Sequence, residues 1–377
     1  MKLLENIVDN YKIKKKDSYS IINTEYKYNN IGFINLGATC YINSLLQILY
    51  HIEEFRESIL YCDVVDEEQN ALNEISIFFS LNSYKDKYYN PISFIKNYEN
   101  EIIDINHQQD VHEFMLNLID KLENRLKNTK NENMMKYFFQ LTLNEERIFK
   151  YDWNHRNESL NKLYTLEVEI KNHNNLIDSL NSYFASELVE GENMLKCDIC
   201  NRKFPFIKEK TILFLPEILI ILLKRFEYNV ETKENVKLNN YFEFPLELSL
   251  NNYFDIIEKN NEKIQNNYKY NLFDIILHED NTNNGHYWSI LKNNGEIWTC
   301  FDDKLVYNID IVKLKQFAFG MDNDNDGDFI FENNRNAYLL FYIKKNNINC
   351  ENFVNINSIN LIKKVYGISK SWGFLIV

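Results

Sequence analysis

Residues 35–47 have the sequence NLGATCYINSLLQ, in which Cys40 follows a glycine-containing turn. Apolar residues then recur at steps of three and four, the pattern of a helix with one buried face. They are Ile42, Leu45, Leu46, Leu49, Ile52 and Phe55. Cys40 is therefore predicted at a helix N-terminus, where free backbone N–H groups stabilise a thiolate and can bind an oxyanion. A buried, inert cysteine is the alternative that its position alone leaves open.

A second amphipathic helix is predicted after Asp110, which stands where an N-cap residue belongs. Its apolar stripe consists of Val111, Phe114, Met115, Leu118, Ile119, Leu122 and Leu126. From about residue 137 the pattern changes, and residues 164–170 alternate as in a half-buried strand. Residues 218–223 are apolar on both faces, which indicates a strand that is covered on each side. A helical first third followed by a β-rich remainder predicts the α+β class.

Composition narrows the classes of protein to which the chain can belong. Of its 377 residues, 45% are hydrophobic and 15% aromatic, which excludes a globally disordered chain. The formal net charge of −13 disfavours binding to nucleic acid or to an anionic membrane. Six cysteines without regular spacing indicate a reducing compartment, and no stretch reaches the ~18 apolar residues that span a bilayer. We expect a monomer located in the cytoplasm, the nucleus or both.

A candidate base, His286, begins a predicted strand that turns at the Asn-Gly pair 294–295 and returns to Asp302 and Asp303. A two-residue loop would place Asp303 opposite His286, whereas a three-residue loop would place Asp302 there, and the turn signal leaves both registers open. Either carboxylate would lie about 5 Å from the imidazole at Cβ and could orient it. An isolated pair of this kind is more often a surface hairpin end. The helix-capping cysteine upstream completes a Cys-His-Asp arrangement.

Four motifs in a fixed order resemble the ubiquitin-specific protease family of papain-like cysteine deubiquitinases. They read GFINLGATCYINSLLQ (32–47), QQDVHEF (108–114), LPEILIILLKRFEY (215–228) and NGHYWSI (284–290), with an FDD return at 301–303. Ala38, the KRFEY strand with the following VKLNNYFEFP (236–245), and the FDD return are most similar to the herpesvirus-associated branch of the family. The resemblance implies a papain-like α+β fold with a helical thumb, β-rich fingers and a β-sheet palm.

The resemblance also implies a thiol-dependent deubiquitinase that hydrolyses isopeptide or peptide bonds at the C-terminal glycine of ubiquitin. Its partners would be ubiquitin and ubiquitinated proteins. Cys40 would be the nucleophile, His286 the general base and Asp302 the residue that orients it, which corresponds to the three-residue register. Asn35 would help to hold the oxyanion, and Asp303 would be a supporting neighbour.

Further residues match family positions that bind the ubiquitin tail. Asp110 and Glu113 would pair with arginines of that basic tail, although a helix capping box is an alternative role for both. Residues that would line the tail channel are Gln109, Phe226, Tyr228, His278 and Tyr287. Phe226 and Tyr287 could instead pack beneath the channel.

Cys197 and Cys200 match the second half of a zinc-binding pair that many family members carry. One C-x-x-C motif supplies two of the four ligands that structural zinc requires. The first pair should fall near residues 149–155, which contain no cysteine and one histidine. We therefore expect that zinc is lost and that the protein needs no cofactor.

The motifs give a predicted organisation in three parts. Residues 1–30 form a leader, 31–344 the protease domain and 345–377 a tail; within the domain the thumb is 31–136, the fingers 137–213 and the palm mainly 214–344. With so few residues on either side of the motifs, we expect the additional domains of the herpesvirus-associated branch to be absent. Two other functions remain open: a catalytically silent ubiquitin-binding scaffold and a protease for another ubiquitin-like modifier.

Overall fold

The computed structural model of the chain covers most of the region that contains the four motifs. It describes residues 30–60, 62, 71–79, 88–98, 103–150, 156–197, 201–231, 233–254, 268–280, 285–292, 297–320 and 334–345. Within these ranges no helix is both long and apolar enough to cross a membrane. The predicted leader and tail lie almost wholly outside the described residues.

Helices predominate in the described residues of the first third of the chain, as predicted. Their bounds are Cys40–His51 (α1), Glu53–Leu60 (α2), Ala71–Phe79 (α3), Ile92–Asn97 (α4), Val111–Leu126 (α5) and Met134–Phe139 (α6), with Leu176–Tyr183 (α7) and Ile311–Ala318 (α8) further along. The prediction that one helix runs through to Phe55 is wrong, because Ile52 is extended with ψ 94° and a new helix begins at Glu53. Glu53 and Glu54 favour that start, since acidic side chains stabilise the positive end of a helix dipole.

Strands predominate among the described residues that follow α6, which confirms the α+β class. Their bounds are Gly32–Phe33 (β1), Tyr88–Tyr89 (β2), Leu141–Phe149 (β3), Arg156–Leu163 (β4), Leu166–Glu169 (β5), Glu187–Val189 (β6), Phe206–Phe214 (β7), Ile218–Lys224 (β8), Phe226–Asn229 (β9), Glu234–Lys237 (β10), Glu247–Ser249 (β11), Lys269–Glu279 (β12), His286–Lys292 (β13), Trp298–Asp302 (β14), Leu305–Ile309 (β15) and Asn336–Lys344 (β16).

The largest sheet, here the palm sheet, separates two hydrophobic cores. Its strands follow the order β15-β14-β13-β12-β16-β8-β5, and β11 also pairs with β12. Along β8, Ile220 packs into a core with the helices α1 to α6, while its neighbour Ile221 packs into a second core with α7 and α8. The prediction that this strand is covered on both sides is confirmed. On β13, Tyr287 and Trp288 likewise enter the first and second core. The strand that carries His286 is therefore fixed from both faces.

A separate four-stranded sheet, here the fingers sheet, has the order β4-β3-β7-β6. Its own small core consists of Phe149, Cys197 and Phe206, with two partly buried neighbours. The range predicted for the fingers, 137–213, needs one correction. It includes β5, which pairs in parallel with β8 and so belongs to the palm sheet. The alternating LEVE sequence of β5 gives it one buried face, which α7 covers.

The hairpin of β13 and β14 adopts neither of the two predicted registers. Ser289 lies opposite Phe301 and Lys292 opposite Trp298, a register that if extended would place His286 opposite Lys304. The reason is that residues 293–297, not a two- or three-residue loop, separate the last pair. His286 pairs instead with β12, and its side chain reaches Asp302 diagonally across the end of the hairpin.

Candidate active site

The carboxamide of Asn35 holds the loop that precedes Cys40. Its Oδ1 accepts hydrogen bonds from the backbone N–H groups of Gly37 at 3.0 Å and Thr39 at 3.2 Å, and from the Thr39 hydroxyl at 3.2 Å. That hydroxyl accepts the backbone N–H of Leu36 at 3.0 Å. Cys40 is then the first residue of α1, as predicted, so its N–H is one of those without an acceptor inside the helix.

Asp303 closes this loop from the opposite side. Its carboxylate accepts hydrogen bonds from Nδ2 of Asn35 at 2.8 Å and Nδ2 of Asn43 at 2.7 Å. Its backbone carbonyl accepts the N–H of Phe33 at 2.7 Å, and a Cβ at Gly32 would lie 2.7 Å from that same oxygen. Burial raises the pKa of the Asp303 carboxyl, and the two carboxamide bonds oppose this effect. Asp303 thus joins the β14–β15 turn to the cysteine loop and to α1.

His286 contacts both of its predicted partners. Its Nε2 donates a hydrogen bond to Oδ1 of Asp302 at 2.6 Å, and its ring also bonds to Cys40. Burial lowers the pKa of His286, but the hydrogen bonds to Asp302 and Cys40, together with their negative charges, outweigh burial and raise it to about 10. An imidazolium beside a thiolate is the charge distribution of an activated cysteine nucleophile.

A glutamine that was not among the predicted site residues contacts the thiol. Nε2 of Gln108 donates a hydrogen bond to Sγ of Cys40 at 3.4 Å, whereas the predicted tail residue Gln109 is exposed to solvent. The sequence motif contains two adjacent glutamines, and nothing in it says which one faces the cysteine. The choice depends on how this segment docks on the cysteine loop, where the N–H of Ala38 donates to the carbonyl of Ile105 at 2.6 Å.

Asp110 combines two roles at the start of α5. Its Oδ1 accepts the backbone N–H groups of His112 at 2.7 Å and Glu113 at 3.2 Å, which confirms the predicted N-cap. Its Oδ2 accepts the hydroxyl of Tyr338 at 2.6 Å and that of Tyr287 at 3.4 Å. Tyr338 lies on β16, outside every sequence motif, and was missed for that reason. The Glu113 side chain is exposed, so its charge faces solvent at the same helix end.

Three of the predicted tail-channel residues lie together beside Asp110. The ring of His278 contacts Phe226 with centroids 5.1 Å apart and Tyr287 at 4.7 Å. Burial, Lys237 and His286 lower the pKa of His278 to about 3, so its ring is neutral. A Cβ at Gly285 would collide with this ring, and only glycine lets the segment before His286 pass so close. Tyr228 is 60% exposed on the neighbouring β9–β10 hairpin.

The structure describes only one cysteine of the C-x-x-C motif that matches half of a zinc site. Cys197 is fully buried against Phe149 and Phe206, while Cys200 and residues 151–155 lie outside the described residues. The loss of zinc therefore stays a prediction. Among the described residues, the group of three potential ligands with donor atoms within 4.8 Å is His286, Asp302 and Asp303. His286 bonds to Asp302, and the neighbouring Asp303 bonds to Asn35 and Asn43. These hydrogen bonds account for the proximity of the three residues.

Comparison with known proteins identifies the family. The family described as ubiquitin carboxyl-terminal hydrolase matches residues 31–342, most of the chain. The chain belongs to this family. The predicted relationship to ubiquitin-specific proteases is thereby confirmed, and residues 31–342 include the hydrogen-bonded Cys40, His286 and Asp302. The closer resemblance to the herpesvirus-associated branch stays a prediction.

Individual relatives support the same family at modest identity. Ubiquitin carboxyl-terminal hydrolase 34 of Homo sapiens is 29% identical over 348 residues, covering 83% of this chain and 10% of the relative. Ubiquitin carboxyl-terminal hydrolase 15 of Saccharomyces cerevisiae is 28% identical over 338 residues, covering 84% and 27%. Ubiquitin C-terminal hydrolase 13 of Arabidopsis thaliana is 29% identical over 336 residues, covering 84% and 29%. The chain thus spans less than a third of the length of each of these relatives.

Proposed function

We propose that the protein is a thiol-dependent deubiquitinase that cleaves the isopeptide or peptide bond at the C-terminal glycine of ubiquitin. The observation that carries the proposal is the contact of His286 with both Asp302 and Cys40, which raises the pKa of the imidazole to about 10. Membership of the ubiquitin carboxyl-terminal hydrolase family supports the choice of substrate.

The proposed reaction proceeds through an acyl-enzyme. The Cys40 thiolate attacks the carbonyl carbon of the terminal glycine, and the carbonyl electron pair moves onto oxygen. Backbone N–H groups at the start of α1 stabilise this oxyanion, with Asn35 predicted to assist. When the intermediate collapses, the protonated His286 gives its proton to the leaving lysine amine. Water then attacks the thioester while His286 accepts its proton, which releases ubiquitin and restores the thiolate.

The proposed route for the substrate tail runs between α5 and the palm sheet. Asp110 and Glu113 provide negative charge at the mouth, which suits a basic peptide. Phe226, His278 and Tyr287 form an aromatic wall behind them. Because Asp110 also caps α5, removing its carboxylate would weaken the helix as well as the tail contact.

Other properties are proposed on more general grounds. The thumb, fingers and palm would follow the predicted ranges 31–136, 137–213 and 214–344, apart from β5. A cytoplasmic or nuclear location is supported by Cys40 and Cys300, which are thiols that form no disulfide within the described part of the chain. We propose that the protein acts as a monomer and binds neither nucleic acid nor membranes, as the charge of −13 suggests.

The decisive experiment is the reaction of the purified protein with ubiquitin that carries a C-terminal electrophile. We expect one covalent adduct by mass, present in wild type and in Cys62→Ala, and lost in Cys40→Ala. Cys62→Ala is the matched control because it removes another buried thiol. Absence of an adduct from folded wild-type protein would contradict the proposal. A ubiquitin-binding scaffold would then still bind ubiquitin, and a protease for another modifier would react with the corresponding probe.

A further inference from the structure

The side chain of Asn35 is largely committed to hydrogen bonds that hold the cysteine loop, so it offers few donors to charge that develops at Cys40. The Oδ1 of Asn35 accepts three hydrogen bonds from the cysteine loop, and its Nδ2 donates to the Asp303 carboxylate. This leaves at most one N–H of Asn35 for an oxyanion, in an orientation that the loop dictates. Stabilisation of developing charge depends on donors that already point at the reacting atoms.

Gln108 supplies such a donor from another part of the chain. Its Nε2 lies 3.4 Å from Sγ of Cys40, and its carboxamide has no other hydrogen-bond partner among the described residues. The side chain is half-buried, so part of it faces the space that a substrate would enter. Its second N–H and its Oε1 are therefore available to an incoming peptide.

The backbone around Gln108 is docked firmly on the cysteine loop. The N–H of Ala38 donates to the carbonyl of Ile105 at 2.6 Å. A Cβ at Gly37, whose φ is 142°, would lie 2.4 Å from that same oxygen, so only glycine permits this approach. On its other side the segment ends at Asp110, which caps α5. Gln108 is thus held between two fixed points, which pre-organises its side chain relative to the thiol.

We propose that Gln108 is a catalytic residue of the deubiquitinase, donating from Nε2 to the Cys40 thiolate and then to the carbonyl oxygen of the terminal glycine as Sγ attacks. The proposal rests on the proposed function. As the new C–S bond forms, the carbonyl π electrons become the oxyanion, and the neutral amide binds that charge without transferring a proton. Gln108 would act with the backbone N–H of Cys40, while Asn35 shapes the loop between them.

The test compares Gln108→Ala and Gln108→Glu with wild type in hydrolysis of ubiquitin carrying a C-terminal fluorogenic amide. We expect kcat to fall about 10²- to 10³-fold in both variants, the scale for removal of one oxyanion donor. KM should change by less than about threefold, because the amide acts mainly in the transition state. Gln109→Ala serves for comparison, because a contact with the ubiquitin tail alone would change KM and leave kcat close to wild type. Thermal unfolding of each variant separates loss of catalysis from loss of structure.

A second measurement does not need ubiquitin. The rate of Cys40 alkylation by iodoacetamide, followed across pH, reports how well the thiolate is stabilised. We expect the Gln108→Glu profile to move to higher pH, since a carboxylate replaces the N–H donor, and Gln108→Ala to move in the same direction by less. If wild type fails to hydrolyse ubiquitin, the proposed function fails, while the alkylation profiles still decide whether Gln108 stabilises the thiolate. Unchanged profiles, or a Gln108→Ala variant altered only in KM, would overturn the proposal.

Discussion

The palm sheet and the fingers sheet are both built mainly from antiparallel pairs, but they differ in how far their side chains are buried. In the palm, β16 buries its first seven residues without interruption, whereas β4 of the fingers sheet has no buried residue. The fingers depend on ladder hydrogen bonds and on exposed charge pairs, such as Lys150 with Glu190 at 3.7 Å. Exposed pairs of this kind contribute little, about 0–1 kcal/mol. The proposed catalytic residues His286 and Asp302 therefore lie on well-packed strands, whereas the outer strand of the fingers should tolerate substitution.

The largest effect is expected at the carboxylate that orients the imidazole. Asp302→Ala removes the 2.6 Å hydrogen bond to His286, and we expect kcat/KM to fall roughly 10³- to 10⁴-fold, as for loss of a triad carboxylate. The pKa of His286, measured by NMR titration, should fall from about 10 towards its ordinary value. The unfolding temperature at pH 6 should fall as well, because Asp302 is the main partner that raises this pKa. If Asp303→Ala had the larger effect on that pKa, the assignment of Asp302 would be wrong.

Truncating a buried palm side chain should cost more stability than truncating one on β4, the outer strand of the fingers sheet. Ile221 is fully buried on β8, and Ile221→Ala is expected to lower the free energy of unfolding by about 2–5 kcal/mol, because it leaves a cavity in a close-packed core. Urea denaturation measures this value. A loss below roughly 1 kcal/mol would mean that the second core can collapse around the cavity, and the contrast between the sheets would be lost.

The hydrogen bonds from Asn35 and Asn43 to the carboxylate of Asp303, here called the Asp303 clamp, should affect both stability and activity. Asp303→Ala leaves the amides of Asn35 and Asn43 without their acceptor, and we expect a loss of about 2 kcal/mol, the scale of buried hydrogen bonds to a charged group. Hydrolysis should fall because the cysteine loop loses its attachment. A crystal structure of the variant should show that loop displaced. A variant with unchanged stability but reduced activity would assign Asp303 to the chemistry itself.

The pH dependence of stability provides a further contrast between the regions. The pKa of His286 rises from 6.5 to about 10 on folding, so its stabilising contribution is complete below pH 6.5 and is lost as the pH rises through about 10. His286→Gln should therefore lower the unfolding temperature at pH 6 more than at pH 10. His173→Gln, at a half-buried site after β5, is the control for the loss of an imidazole as such. Equal effects of His286→Gln at both pH values would contradict the ion-pair arrangement.

The smallest effect is expected on the outer strand of the fingers. Leu160 on β4 is 58% exposed, so Leu160→Ala should change the free energy of unfolding by less than about 0.5 kcal/mol. The measurement is the same urea titration used for Ile221→Ala. A larger loss would indicate that this surface is covered in solution, for example by a second protein copy, which sedimentation would detect.

The positions of Cys40 and Asp110 could be predicted from the sequence because each depends on local signals. The glycine turn and apolar period placed Cys40 at a helix start, and the N-cap preference placed Asp110. Long-range geometry could not be predicted in the same way. The His286 hairpin register depends on a connection longer than its Asn-Gly signal suggests. Likewise, the choice between Gln108 and Gln109 depends on how one loop docks on another.

The Asp303 clamp also has a consequence for the time at which the proposed activity can appear. Its bond to Asn35 joins residues 268 positions apart. At about 5–20 residues added per second, the ribosome needs on the order of 13–54 seconds to pass from one partner to the other. During that interval α1 and its cysteine exist without the turn that holds their loop or the aspartate that orients the base. Under the proposed function, the nascent chain would therefore be unable to cleave ubiquitin conjugates until the palm sheet is nearly complete.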